Sequence, residues 1–167
     1  MSPTTRTTVL TVHIASAVAL VGTTAGLAVM AGRAGADDDF RGAHAVYEVM
    51  QLLTLTLGIP LSFIALISGA ILAMTGRWGL FGYWWVTAKL ALLVAVIVVG
   101  ATVTGASIDT LLDVTTVRPA AASDARWTLI AAVAAQGAMV LAATVLAVVR
   151  PGGRIRRPRA RMRDARI

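Results

Sequence analysis

Residues 59–90 read IPLSFIALISGAILAMTGRWGLFGYWWVTAKL, two apolar runs flanking the short elbow Gly76-Arg77-Trp78-Gly79-Leu80-Phe81. Three of the four tryptophans (Trp78, Trp84 and Trp85) and Tyr83 fall within eight positions, with Arg77 just before them and Lys89 just beyond. Aromatic rings and basic side chains concentrate where a helix meets the headgroups. The stretch therefore reads as a tight helical hairpin that leaves a bilayer and turns straight back into it.

Composition agrees with that reading along the whole chain. Of 167 residues, 57% are hydrophobic and 14% charged, and mean hydropathy is +0.79. A water-soluble surface does not tolerate such a balance. The chain has no cysteine, which excludes disulfides, iron–sulfur clusters, thiolate zinc sites and a catalytic thiol. The net charge of +7 is a local property: eight of the fifteen basic residues are arginines of the segment 150–167.

Outward from the elbow, the pattern predicts an all-α membrane protein, a bundle of four transmembrane helices at about 8–32, 44–75, 83–105 and 127–149. These form one transmembrane domain over 1–149, and 150–167 forms a disordered, basic cytoplasmic tail. Roughly 20 apolar residues cross the ~30 Å hydrocarbon core. The first run exceeds a signal-peptide core of about 7–15 residues, so it reads as a span in spite of the small residues Ala34-Gly35-Ala36. It carries the stripe Ala15, Ala19, Gly22 and Gly26, where a second helix backbone can approach closely, and packing inside the bundle is the expectation. Ala131, Ala135, Ala138 and Ala142 form a similar stripe on the fourth helix.

Pro60 lies near mid-bilayer of the second helix and is expected to kink it by pushing aside the Thr56 carbonyl, with Thr54, Thr56 or Ser62 satisfying the freed group. Gly69 marks a close-packing point. Lys89, two turns inside the third helix, is expected to snorkel towards the headgroups. The segment 106–126 reads as a loop whose first half can form a short interfacial helix, and Ser123 or Asp124 is a fair N-cap for the fourth helix. Gln136 sits mid-helix, where an unpaired amide is costly, and Thr23 or Thr24 are the partners expected from depth.

Charge gives the orientation. Four helices put both termini on one side, together with Arg6, Arg77 and the eight tail arginines. The other side carries Arg33, Arg41, Arg118 and Arg126 against six aspartates: Asp37, Asp38, Asp39, Asp109, Asp113 and Asp124. The positive-inside rule places both termini and the elbow in the cytoplasm. Arginines that start directly at a helix end favour anionic lipid over nucleic acid as the partner of the tail.

Chemistry is sparse. His13 and His44 are the two histidines, and their depths differ by roughly 25 Å across a ~30 Å core, so one haem or copper cannot use both. Each remains a candidate ligand singly. His44 with Glu48 makes a metal pair at one-turn spacing, short of a full coordination set, and Gln51 shares their face. The Asp37–Asp39 triplet lacks the spacing of a cation-binding loop. No nucleophile elbow or phosphate-binding glycine loop is present.

The elements Pro60-Leu61, Ser68-Gly69, Trp78-Gly79-Leu80, Trp85-Val86 and Lys89-Leu90, with His13, Ser16 and Gly22 before them, resemble a group of uncharacterised small bacterial four-helix integral membrane proteins. The resemblance covers roughly residues 8–100, and that group is itself hydropathically similar to the membrane part of copper-resistance D-type proteins. The high Ala, Val, Arg and Gly content looks actinobacterial. The implied function is a non-enzymatic accessory or structural component acting through helix contacts with itself or a membrane-protein partner. A haem- or copper-handling protein using His13 or His44 is the alternative, followed by a small transporter subunit. No resident cofactor is expected on the favoured reading.

Overall fold

A computed structural model describes residues 1–36, 40–76, 83–117 and 123–149. They build six helices: α1 (Pro3–Ala36), α2 (Phe40–Leu53), α3 (Ile59–Thr75), α4 (Trp84–Val99), α5 (Gly105–Val117) and α6 (Ser123–Val149). Five-residue π-helical turns, Thr54–Gly58 and Gly100–Thr104, join α2 to α3 and α4 to α5 without a break. The result is four rods, each long and apolar enough to cross a membrane. They pack in a ring: α1 lies between α3 and α6 and also touches α2, α4 packs on α6 and α3, and α5 on α2 and α6. The structure is an all-α four-helix bundle, as the apolar runs predict.

The first of the wide turns has a local cause in Pro60. In a regular α-helix the Pro60 ring presses on the carbonyl four residues back. A turn closed by the Ile59 N–H donating to the Thr54 carbonyl, five residues back, gives that carbonyl room. The hydroxyls do not go to Thr56, as expected, but to other carbonyls: Thr54 donates to Met50, Thr56 to Leu52 and Ser62 to Gly58. In the third rod the Gly105 N–H likewise donates to the Gly100 carbonyl.

Helix α5 covers the first half of the segment 106–126, where the sequence allows a short interfacial helix, and it continues the third rod directly. Thr104, Ile108 and Leu111 recur at helical spacing and are almost wholly buried, which holds α5 against α2 and α6. Helix α6 begins at Ser123, one of the two residues read as its cap, and so starts four residues before the rough bound of 127. Arg77, Trp78, the Asp37–Asp39 triplet, Arg118 and the basic segment 150–167 lie outside the described residues.

The core is unevenly distributed. Its main cluster, with Leu27, Ala31, Tyr47, Met50, Ile108, Leu111, Leu129 and Val133, fills the end of the bundle away from the elbow. Towards the elbow the buried cluster shrinks to Leu20, Val96 and Val140. Tyr47 is fully buried, and its hydroxyl has no hydrogen-bond partner among the described residues. A buried hydroxyl without a partner costs about 1–3 kcal/mol. Tyr47→Phe is therefore expected to leave the melting temperature in detergent unchanged or to raise it; a clear fall would show that the hydroxyl is bonded.

The two small-residue stripes face away from the bundle. Ala15, Ala19, Gly22 and Gly26 are all exposed, and a Cβ built on Gly22 or Gly26 meets nothing within 4 Å. Ala131, Ala135, Ala138 and Ala142 on α6 are exposed as well. The expectation that the α1 stripe packs inside the bundle is corrected: the buried face of α1 is Ser16, Leu20, Thr24, Leu27 and Ala31, on the opposite side of the helix.

Candidate functional site

The thin core at the elbow end leaves a cleft of about 380 Å³ between α1, α3 and α4, with Ala147 of α6 at its edge. Its polar centre is His13. Gly69 has no side chain, and that absence is what lets the imidazole lie against α3: a Cβ at position 69 would stand 2.9 Å from His13 Cε1. The ring Nδ1 lies 3.1 Å from the Ala65 carbonyl oxygen and 3.1 Å from Ser68 Oγ. A carbonyl can only accept, so Nδ1 carries the proton and Nε2 offers a lone pair. Ser68 Oγ in turn donates to the Ile64 carbonyl at 2.6 Å. Ser16 closes the α1 side by donating to the His13 carbonyl at 3.0 Å.

The Nε2 lone pair faces Lys89. Its Nζ lies 3.4 Å from Nε2, where the ammonium donates to the imidazole. Lys89 was expected to reach along its helix to the headgroups; it turns instead into the bundle. Histidine and lysine, 76 positions apart in the chain, thus form one chain of hydrogen bonds ending on the α3 backbone: Lys89 to His13, His13 to Ala65 and Ser68, Ser68 to Ile64. Arg6, on the same face of α1 about two turns towards the elbow, is exposed and lines the cleft, and Trp85 lines the α4 side. Trp84 is turned outward and exposed.

Gln136 makes a second interhelical network. Thr104 Oγ1 donates to its Oε1 at 2.9 Å, and its Nε2 donates to the Val96 carbonyl at 3.2 Å. The amide thereby bridges the wide turn Gly100–Thr104 from the neighbouring rod, and Gly100 leaves it room, since a Cβ there would lie 3.0 Å from Nε2. Thr23 and Thr24 are not its partners: they donate to the carbonyls of Ala19 and Leu20 within α1.

At the far end of the bundle, His44 Nε2 lies 3.6 Å from Glu48 Oε1, and Gln51 donates to Asp109 Oδ1 at 2.8 Å, tying α2 to α5. Of the predicted face His44, Glu48 and Gln51, the first two form a partly exposed i, i+4 pair and the third serves as a cross-link. Among the described residues no three His, Asp or Glu side chains converge as a metal site. His13 and His44 occupy opposite ends of the bundle, and the His13 nitrogen that a metal would take is the one that faces the Lys89 ammonium.

A family model described as "Predicted integral membrane protein (DUF2269)" matches residues 7–151, well over half of the chain. No curated protein and no solved structure matches it. The chain belongs to this DUF2269 family of integral membrane proteins.

Proposed function

We propose that this DUF2269 protein is a non-enzymatic component of a bacterial cytoplasmic membrane that acts through helix contacts with a second membrane-embedded chain. Both termini and the elbow lie in the cytoplasm, and the basic segment 150–167 rests on anionic lipid. The observation that carries the reading is the outward placement of two small-residue stripes, one on α1 and one on α6, on faces left exposed among the described residues. Between helices in lipid, close backbone approach replaces the hydrophobic effect as the driving force, and small residues permit it. The polar groups inside the bundle support a structural role, because His13, Ser68, Lys89, Gln136 and Thr104 are paired with one another or with backbone carbonyls.

The stripe can be tested without disturbing the bundle, since nothing lies within 4 Å of a Cβ at Gly22 or Gly26. Gly22→Leu and Gly26→Leu together are expected to abolish disulfide-free chemical cross-linking to the partner, or to a second copy, in native membranes. The melting temperature of the purified protein should not fall. Cross-linking at the parental level in the double variant would sink the proposal. Reporter fusions at each terminus test the orientation, and an external signal at either one would reverse it. The likeness to copper-resistance D-type proteins, and with it a haem or copper role for His13 or His44, makes a distinct prediction. The purified protein would then carry a Soret band or stoichiometric copper that His13→Ala or His44→Ala removes.

A further inference from the structure

The cleft at the elbow end is lined mainly by apolar side chains, and the charges on it are of one sign. Lys89 lines it beside His13, and the exposed Arg6 lines it about two turns of α1 nearer the elbow. No Asp or Glu occurs in residues 1–36, 49–108 or 125–163, so the segments that build this end of the bundle have no carboxylate to offer. Lys89 has three N–H donors, and among the described residues the one side chain that accepts from them is His13, through Nε2. That acceptor is a neutral lone pair, because the proton of the ring sits on Nδ1. The hydrogen bond is made, yet the charge is left without an opposite charge. An ammonium among apolar side chains within a membrane is costly until an anion or water joins it.

Cleft size narrows the anion. At about 380 Å³ it lies near the lower end of the roughly 300–1,000 Å³ range of small-molecule sites, room for one slender body and not for two acyl chains. Its depth profile matches one chain too. Arg6 and Lys89 lie towards the elbow, and Ile14, Leu66 and Leu93 lie as deep or deeper. A molecule with an anionic head and a single hydrocarbon chain would sit in the orientation that it already has in the adjoining leaflet.

We propose that this cleft binds a single-chain carboxylate amphiphile of the fatty-acid class, its carboxylate accepting from Lys89 and drawn in by Arg6, its chain lying against Leu66 and Leu93. The inference goes beyond the proposed function: the outward stripes serve a partner chain, whereas this site lies inside the bundle and takes a small molecule. His13 is a positioning residue. Fixed by Ala65 and Ser68, its Nε2 holds the lysine tip over the cleft.

The test is native mass spectrometry of the full chain, released from phosphatidylcholine nanodiscs, with palmitate as the probe and hexadecanol as its uncharged analogue. A one-to-one palmitate adduct is expected, with hexadecanol at least about tenfold weaker, as loss of a charge-assisted hydrogen bond implies. Lys89→Met should weaken palmitate by a similar factor, and Arg6→Gln, at an exposed position, by a few-fold. Leu66→Trp fills the cleft while keeping every charge and should abolish the adduct. Equal binding of hexadecanol, or unchanged binding by Lys89→Met, would overturn the proposal. So would displacement of palmitate by equimolar phosphatidylglycerol, which assigns the contact to two-chain surface lipid, or by inorganic phosphate, which assigns it to a free anion. Should Lys89→Met fail to fold, Arg6→Gln and Leu66→Trp decide the matter, because unchanged adducts in both exclude the cleft.

Discussion

Gly69→Val is expected to lower the melting temperature of the purified protein more than any other single change near the cleft. The first atom added at this position already stands 2.9 Å from His13 Cε1 and 3.3 Å from Nδ1, inside the distance at which real carbon atoms pack. The ring cannot simply swing away, because Ala65 and Ser68, on the same helix as Gly69, hold its Nδ1. Either the imidazole gives up those bonds or α1 and α3 move apart along their shared face. Overpacking of a tight contact costs about 1–3 kcal/mol, and valine is expected to reach the upper part of that range. Gly69→Ala should show a smaller effect of the same sign. A double-mutant cycle isolates the cause: in a His13→Ala background the penalty at position 69 should largely vanish, since the contacting ring is gone. A Gly69→Ala protein as stable as the parent, or a penalty that persists without the imidazole, would show that the close approach is not what this glycine is for.

Depth along the membrane normal was legible in the sequence, whereas azimuth around each helix was not. The spacing of apolar runs, the aromatic elbow and the paucity of internal charge suffice to give four rods and their ends, because each residue advances a helix by about 1.5 Å. Depth alone also separates His13 from His44 and brings His13 level with Lys89. What turns one side chain towards another is rotation, and the two wide turns break the ordinary periodicity that predicts it. One extra residue in a turn rotates all that follows by about 100°. Thr104 sits at the end of such a turn, so its approach to Gln136 could not be read from 3.6-residue spacing, and Thr23 and Thr24 stood in for it on depth alone. The stripe on α1 shows the complementary limit. Small residues mark a face that permits close approach, but whether that face turns inward depends on Leu20, Thr24 and Leu27 competing for the same core. The cleft needed three rods at once, and pairwise spacing in one chain does not give that.

The second large effect is expected at Gln136→Leu. Leucine fills nearly the same volume and is at home in a bilayer, so a purely spatial role for residue 136 would leave stability unchanged or improved. The bonds predict the reverse. Without the amide, the Thr104 hydroxyl, on a residue only 1% exposed, loses its acceptor, and the Val96 carbonyl loses a donor at the start of the wide turn. Interhelical hydrogen bonds in membranes are worth about 0.6 kcal/mol on average and up to about 1.7. The pair together should therefore cost roughly 1–3 kcal/mol, measured as a lower unfolding midpoint in a mixed-detergent titration. Coupling separates this from a general dislike of leucine at the site. Thr104→Val removes the donor from the other side, so the double variant should lose less than the sum of the two single changes. Gln136→Glu keeps an acceptor for Thr104 but, as a carboxylate, cannot donate to Val96, and so probes the two halves separately. Additive losses from Gln136→Leu and Thr104→Val would mean that the amide and the hydroxyl act independently. The wide turn would then be held by its own backbone and by Gly100, with no clasp from α6.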